Sequence, residues 1–211
     1  TQGTCPLCSS TRKPENRKKK CASYDWQRGI GTCHNCDTPF QLHTYKRKGK
    51  AEREYVIPTE INSQKTINRP ATDKTIQWFK TRGISKQTLD ELKVSVGKEY
   101  MPQTNNTENT IQFIYYVGGQ LTNIKYRDAR KNFKLYKGAE KVFYNIDNTV
   151  GHDDCVIVEG EMDVLALHEA GITNAVSVPN GATLNTNNLD YLDNCIDYFE
   201  DKKKIIIAVD N

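Results

Sequence analysis

Three carboxylates follow an apolar segment in the run Glu159-Gly160-Glu161-Met162-Asp163. The residues just before this run, 156–158, are Val, Ile and Val, which is typical of a strand covered on both faces in a parallel sheet. Apolar residues then recur at helical spacing until Gly171, where a glycine favours the end of a helix. The sequence therefore predicts a strand, a tight turn and a helix, with the carboxylates at the turn.

A second apolar strand, residues 205–209, ends in Asp210. In open α/β sheets ligands bind beyond the carboxyl ends of the strands, so Glu159 and Asp210 are expected to meet if the two strands are neighbours. Carboxylates that converge without basic partners raise one another's pKa, and a divalent cation relieves this repulsion. The alternative is that the strand simply ends in a polar residue, as strands commonly do.

Four of the seven cysteines form two Cys-x-x-Cys pairs, Cys5 with Cys8 and Cys33 with Cys36. Two such pairs can supply the four thiolates of a closed structural zinc site. The chain lacks a secretory signal, which favours metal over disulfides, and redox pairs usually occur singly. We therefore predict a structural Zn²⁺ in a short polar segment that needs one to fold. Cys21 is expected to be a strand residue instead.

The charges are segregated along the chain. Residues 1–146 contain 27 Lys and Arg against 13 Asp and Glu, whereas residues 147–211 contain 3 against 13. A basic front and an acidic back suit a polyanion held near a carboxylate-bound metal. The mean hydropathy of −0.72 and the absence of a long apolar segment or signal peptide predict a soluble protein that acts in the cytoplasm, with no membrane partner.

Two further segments carry the signals of nucleic-acid binding. Basic residues between the cysteine pairs precede Trp26, and His34 lies between two cysteines, so Trp26 and His34 are candidate contacts to single-stranded DNA. The alternative is that Trp26 only fills the small core. Residues 111–117 and 120–127 predict a β-hairpin with Lys125 and Arg127 on one face. The candidate phosphate-binding residues are Lys125, Arg127, Arg130, Lys131 and Lys134, although lysines on a strand can also protect an edge.

A polar, proline-containing stretch over 45–70 predicts a linker. The expected fold class is α/β (α+β), with a four-cysteine zinc ribbon over 1–44 and the linker over 45–70. A basic, hairpin-containing subdomain would follow over 71–147, and a partial parallel sheet over 148–211. Short helices are expected from Asp73, as the capping residue, and from Ser85, and residues 101–110 are expected to form a loop.

These motifs resemble those of a known family. The run Val158-Glu-Gly-Glu-Met-Asp163 with its flanking strands resembles the Toprim domain of primases and topoisomerases, and in particular that of phage-type primase-helicases. Residues 121–134 are similar to the basic RNA-polymerase subdomain that precedes Toprim in that family. The family has Asp-x-Asp after the last strand, whereas this sequence ends at Asp210-Asn211, and it contains no nucleotide-binding helicase motif. The expectation is an N-terminal fragment with a truncated Toprim domain.

The resemblance implies a DNA primase that makes short RNA primers on single-stranded DNA from ribonucleoside triphosphates, with Mg²⁺ or Mn²⁺ as cofactor. Glu159, Asp163 and Asp210 would be catalytic, and Glu161 would join them as a metal ligand or stand behind them. Glu159 could instead act as a general base. The basic residues would hold nucleotide or template, the zinc ribbon would contact the template, and a helicase would act in cis or in trans.

Three alternatives remain open at this point. The chain could be a non-catalytic primase-like module that binds single-stranded DNA for a replicative helicase. It could be a Toprim nuclease, or a zinc-ribbon nucleic-acid binder joined to an unrelated α/β domain.

Overall fold

A computed structural model describes residues 1–26, 29–42, 54–58, 69–180 and 189–209. The chain divides into two compact units, Thr1–Glu52 and Arg53–Asn211. Among the described residues, no helix combines the length and apolarity needed to cross a bilayer. Of the predicted linker over 45–70, only residues 54–58 and 69–70 lie in the described part of the chain.

The smaller unit contains a four-stranded antiparallel sheet. Its strands, in spatial order, are β1 (Gln2–Gly3), β2 (Ala22–Asp25), β3 (Ile30–Cys33) and β4 (Pro39–Gln41). Among its described residues, the buried core consists of Cys5, Ala22, Cys33 and Phe40. Gly31 lies against the Phe40 ring, where a side chain would not fit. A core this small requires a covalent or metal cross-link to hold the strands together.

The larger unit begins with two short helices, α1 (Asp73–Lys80) and α2 (Lys86–Glu91). The Ser85 side chain accepts a hydrogen bond from the Thr88 amide, so α2 is capped as predicted. The cap of α1 was predicted wrongly, because Thr72 and not Asp73 accepts the amide of Thr75. Asp73 instead occupies the first turn, where its negative charge interacts favourably with the helix dipole.

A five-stranded antiparallel sheet follows. Its strands are β5 (Arg69–Pro70), β6 (Ser95–Met101), β7 (Asn106–Val117), β8 (Gln120–Asp128) and β9 (Phe133–Leu135), in that spatial order. Gly118 and Gly119 both have positive φ and form the tight turn between β7 and β8, which confirms the predicted hairpin. The predicted loop over 101–110 is too long, because residues 106–110 belong to β7. Their backbone pairs with β6, and this pairing does not require apolar side chains.

The acidic part of the chain forms a three-stranded parallel sheet in the order β11 (Ala175–Ser177), β10 (Asp154–Val158) and β12 (Lys204–Ile207). Helix α3 (Glu161–Glu169) follows the central strand, and the short α4 (Asp190–Asn194) precedes β12. The strands β10 and β12 pair directly, with Val156 opposite Ile206. The parallel sheet is therefore as predicted, and the two strands are neighbours, which is the condition for Glu159 and Asp210 to meet.

One continuous core joins the two sheets of the larger unit. Phe113 and Tyr115 of β7 belong to the same buried cluster as Val158 of β10 and Leu165 of α3. The opposite face of the antiparallel sheet has a separate apolar cluster, formed by Met101, Ile114, Ile124 and Tyr126. The predicted boundary at 147/148 lies within the 3-10 turn Ile146–Thr149. The shared core therefore fixes β7 against β10 and α3.

Replacing Gly31 with alanine is expected to destabilise the smaller unit. The added methyl group would lie 2.5 and 2.6 Å from two carbons of the Phe40 ring. Overpacking of this kind costs about 1–3 kcal/mol in the free energy of unfolding. Chemical denaturation followed by circular dichroism measures the change. The control is Thr32→Ala, at an exposed neighbouring position of β3, and an equal loss in both variants would contradict the packing argument.

Candidate functional site

The four predicted zinc ligands converge on one point. The Sγ atoms of Cys5, Cys8, Cys33 and Cys36 all lie within 4.8 Å of one another. The Cys5–Cys36 and Cys8–Cys33 sulfur pairs are 3.9 and 3.7 Å apart. For a Zn–S distance of about 2.3 Å, the edge of a sulfur tetrahedron is about 3.8 Å. The cluster therefore has the size of a tetrahedral zinc site.

Backbone amides support these thiols. Cys5 Sγ accepts hydrogen bonds from the amides of Leu7 and Cys8 at 3.3 and 3.4 Å. Cys33 Sγ accepts from the amides of Asn35 and Cys36 at 3.3 and 3.5 Å. Each pair thus forms a tight knuckle whose amides stabilise negative charge on the first sulfur.

Two of the clustered thiols, Cys33 and Cys8, differ in how readily they ionise. Burial opposes ionisation of Cys33, but hydrogen bonds from the amides of Cys36 and Asn35 and from the thiols of Cys36 and Cys5 together lower the pKa of Cys33 to about 6. Burial raises the pKa of Cys8 to about 12. A bound Zn²⁺ is the group that stabilises four adjacent thiolates at neutral pH.

Cys21 is a fifth cysteine beside this cluster, and it lies immediately before β2 and not within the strand. Its Sγ lies 3.8 Å from that of Cys33, and the Arg12 guanidinium donates to the sulfurs of Cys21 and Cys8 at 2.9 and 3.1 Å. Cys21 is not part of the four-sulfur group. Arg12 therefore places a positive charge next to the site, where it offsets part of the charge of the thiolates.

The two predicted DNA contacts of the smaller unit lie on opposite faces of β2. Trp26 stacks on Tyr24 with ring centroids 5.6 Å apart, and it stays 66% exposed, so it is not needed to fill the core. His34 pairs with Ser23 at 2.7 Å, on the face opposite Tyr24. Both side chains are accessible, but one flat surface does not present them together.

In the larger unit the three carboxylates occupy distinct environments at the turn between β10 and α3. Asp163 accepts the Gly160 amide at 3.0 Å and so closes the first turn of α3. Glu159 follows the end of β10 and has no hydrogen-bond or ion-pair partner in the described part of the chain. Glu161 is 3% exposed, and its oxygens lie 2.8 and 2.9 Å from Lys125 Nζ. The buried hydroxyl of Tyr115 also donates to Glu161.

A cleft of about 620 Å³ separates this turn from the antiparallel sheet. Basic and apolar residues of β8 and β9 line one side, the acidic turn lines another, and the segment after β11 contributes two residues. The lining residues are Lys125, Phe133, Lys134, Leu135, Glu159, Gly160, Glu161, Asp163, Pro179 and Asn180. Charges of both signs therefore face one space that a nucleotide-sized ligand could enter.

Asp210 lies outside the described residues, so its approach to Glu159 stays a prediction. Within the described ranges, the four cysteines are the only close group of three or more potential metal ligands. Glu159 and Asp163 nevertheless offer carboxylate oxygens to the same cleft, and hard oxygen ligands of this kind suit Mg²⁺ or Mn²⁺. The donor set thus fits a divalent cation that shares its shell with further oxygens.

The predicted basic residues other than Arg127 lie in two environments. Lys125 and Lys134 line the cleft, and Lys134 Nζ lies 2.6 Å from a carboxylate oxygen of Glu99. Arg130 and Lys131 lie on the exposed turn between β8 and β9. The Asp128 carboxylate orders that turn by accepting the Arg130 amide at 2.9 Å. Arg130 and Lys131 are not among the residues that line the cleft.

Arg127 belongs to a cluster of cations and aromatic rings that the sequence analysis missed. Its guanidinium carbon lies 5.1 Å from the centre of the Trp78 ring and 6.0 Å from that of Phe133. Arg82 stacks on Trp78 at 3.7 Å. Burial lowers the pKa of Arg127, as does the nearby charge of Arg82. Trp78 is half-buried against the main core, and only the fold brings α1 beside β8.

Comparison with known proteins identifies a domain and relatives of this chain. The Toprim domain profile matches residues 153–211. Over 173 residues the chain is 32% identical to Primase homolog protein of Arabidopsis thaliana, covering 77% of this chain and 48% of that protein. It is 33% identical over 152 residues to Twinkle homolog protein, chloroplastic/mitochondrial, of the same plant, covering 67% and 21%. The chain thus spans about half the length of the first relative and about a fifth of the length of the second.

Two solved structures share the fold. The primase fragment of the bacteriophage T7 primase-helicase protein has a TM-score of 0.52 at 20% identity, over 100% of this chain and 79% of that one. The Aquifex aeolicus primase, with zinc binding and RNA polymerase domains, has a TM-score of 0.52 at 13% identity, over 99% and 65%. The architecture is therefore that of primase zinc-binding and core domains.

Metal analysis tests the cysteine site. We expect one zinc per chain, and we expect Cys36→Ser to lose most of it and to unfold the smaller unit, because three thiolates do not close the tetrahedron. Elemental analysis and circular dichroism measure the two effects. Cys21→Ser is the matched control and should keep its zinc, since Cys21 is outside the four-sulfur group. Equal zinc loss in both variants would contradict the assignment.

Proposed function

We propose that this chain, which carries a Toprim domain within a primase fold, is the polymerising part of a DNA primase. It would synthesise short RNA primers on single-stranded DNA from ribonucleoside triphosphates. The observation that supports this proposal is the cleft, where Glu159 and Asp163 lie opposite Lys125 and Lys134. Nucleotidyl transfer requires acidic and basic side chains at one place. The acidic side chains bind the metal ion, and the basic side chains bind the triphosphate.

The carboxylates would divide the chemistry among them. Glu159, Asp163 and Asp210 are the proposed ligands of Mg²⁺ or Mn²⁺, which when bound offsets charge on the phosphoryl oxygens. Glu159 has no partner in the described part of the chain, so it could equally accept a proton from the attacking 3′-hydroxyl as a general base. Asp163 keeps one oxygen on the Gly160 amide, which fixes its orientation at the turn.

The basic residues would hold the polyanions. We propose that Lys125 and Lys134, which line the cleft, contact the triphosphate, and that Arg130 and Lys131 on the exposed turn contact the phosphates of a template strand. Arg127, with Arg82 and the rings of Trp78 and Phe133, offers alternating cations and stacking surfaces. This combination favours single-stranded nucleic acid over a small ligand.

The zinc ribbon would contact the template as well. Trp26 and His34 are accessible, and the loop between the cysteine pairs is basic. Because these two side chains lie on opposite faces of β2, we propose that they contact different parts of the nucleic acid. The ring of Trp26 would stack on a base, and His34 would hydrogen-bond to another.

A helicase is the proposed partner, in cis or in trans. One solved structure is the primase fragment of a primase-helicase, and one relative bears the name Twinkle homolog. We propose that the protein acts where DNA is replicated, in the bacterial cytoplasm or nucleoid, whereas the plant relative is named as chloroplastic/mitochondrial. Primers made here would serve the strand that a helicase exposes.

Removing the charge of Glu159 tests the catalytic assignment. Glu159→Gln is expected to lower kcat for primer synthesis about 100-fold or more, since it removes either a metal ligand or the base. Asp153→Asn is the matched control, because Asp153 is exposed at the opposite end of β10 and pairs with Lys203. Single-stranded DNA, magnesium and labelled ribonucleotides provide the assay. Undiminished synthesis by Glu159→Gln would contradict the assignment.

The same assay separates the alternatives. Oligoribonucleotide products support a primase, cleaved DNA indicates a Toprim nuclease, and binding without either product indicates a non-catalytic module.

Replacing Arg82 tests the template surface. Arg82→Gln should raise the Kd for single-stranded DNA several-fold and lower the slope of log Kd against log salt by about 0.7, because one phosphate contact is lost. Lys74→Gln, at an exposed position near the start of α1, is the control and should keep the wild-type slope. Fluorescence anisotropy over a salt series measures both quantities. An unchanged slope in Arg82→Gln would rule out this contact.

A further inference from the structure

A buried chain of three polar groups crosses from the antiparallel sheet to the acidic turn. The Tyr115 hydroxyl of β7 donates to Glu161, and both oxygens of Glu161 contact the ammonium of Lys125 at 2.8 and 2.9 Å. The side chains of Lys125 and Glu161 are only 9% and 3% exposed. Glu161 therefore has both oxygens engaged by protein donors and offers little to a metal ion.

One N–H group of the Lys125 ammonium is available to a ligand. It has three N–H groups, and two of them account for the bonds to Glu161. No other acceptor takes the third in the described part of the chain, and Lys125 lines the cleft. Glu161 thus holds the charge at the wall of the cleft with one donor left for a ligand oxygen.

Tyr115 fixes the carboxylate in turn. Its ring is fully buried and packs edge-on against Tyr144, with centroids 5.2 Å apart. Burial and the charge of Glu161 raise the pKa of Tyr115 well above its usual value, so the phenol stays protonated and donates. A rigid ring therefore sets the position of Glu161, and Glu161 sets that of Lys125.

Stability alone does not account for this arrangement. The desolvation of two buried charges offsets most of their attraction, so an apolar pair in their place would hold the sheets together as well. The pair instead stands where β8 meets a cleft that also contains Glu159 and Asp163. A fixed cation at that point complements the charge of a phosphate group.

We propose that Tyr115 and Glu161 are positioning residues that hold the Lys125 ammonium ready for a phosphate oxygen of the incoming nucleoside triphosphate. Glu161 acts as the counter-ion of Lys125 and not as a metal ligand. This inference rests on the proposed function, because it assigns a role within the nucleotide site of that reaction.

Two tyrosine variants of the full chain test the proposal. Tyr115→Phe removes the hydroxyl that orients Glu161, and it is expected to raise the Kd for ATP about 3- to 10-fold. Tyr144→Phe is the matched control, because it also removes a buried hydroxyl from the same ring pair. That hydroxyl donates to the Leu92 carbonyl at 3.0 Å and makes no bond to Glu161. Calorimetric titration with ATP and thermal unfolding are measured on both variants.

A structural role and a positioning role differ in outcome. If both variants lose stability and only Tyr115→Phe loses ATP affinity, the positioning role is supported. If the two variants keep the wild-type affinity for ATP, or lose affinity to the same extent, the proposal is overturned.

Glu161→Gln extends the test. It leaves the ammonium of Lys125 buried without its counter-ion, so Lys125 is expected to turn toward Glu159 or Asp163, and the Kd for ATP should rise about tenfold. Tyr115→Phe should then add nothing in the Glu161→Gln background, because it acts through Glu161. Tighter ATP binding by Glu161→Gln would overturn the proposal, since Glu161 would then only repel the triphosphate. Additive losses in the double variant would overturn it too.

Primer synthesis by the same proteins separates this inference from the proposed function. If the wild-type protein binds ATP but makes no primers, the proposed function is contradicted, and the variants still decide the positioning role. If the wild-type protein makes primers and Tyr115→Phe binds ATP normally, only the positioning role is contradicted. If the wild-type protein does not bind ATP, both the proposed function and the positioning role are contradicted.

Discussion

A buried ion pair between Lys125 of β8 and Glu161 of α3 joins the basic sheet to the acidic turn. Each group offsets part of the desolvation cost of the other, so the pair depends on the way the two sheets pack. The Tyr115 hydroxyl and the rings of Tyr115 and Tyr144 surround the pair with rigid partners. The width of the cleft and the facing of its charges follow from this contact.

The two units solve the problem of stability differently. The larger unit has a continuous core that runs from β7 through β10 to α3, and this core can hold the acidic turn in place. The core of the smaller unit has four buried residues among those described, and two of them are cysteines of the proposed zinc site. With zinc bound at the proposed site, its strands would depend on the metal in a way that the larger unit does not, since zinc binding supplies folding free energy. Binding of metal and accessibility of Trp26 and His34 are linked through that fold.

The cationic residues are not equivalent, although the sequence presents them as one basic segment. Lys125 is buried against a carboxylate, Lys134 pairs with Glu99, and Arg127 lies between aromatic rings. Arg130 and Lys131 remain on an exposed turn. A buried, paired ammonium suits one fixed phosphate oxygen, whereas exposed and stacked cations suit a strand that slides past them. Under the proposed function, this division favours separate places for nucleotide and template.

The sequence by itself determined the elements whose chemistry is local. The spacing of four cysteines predicted a cluster that the fold closes to within 4.8 Å, because each knuckle is built from adjacent residues. The Gly118-Gly119 turn set the hairpin, and the apolar runs before Glu159 and Asp210 predicted parallel strands that do pair. Only the tertiary structure decided that Glu161 faces Lys125 while Glu159 stays without a partner among the described residues, and that α1 brings Trp78 and Arg82 beside Arg127. These contacts join residues far apart in the chain, and no local pattern encodes them, since the packing of one sheet on another sets which side chains meet.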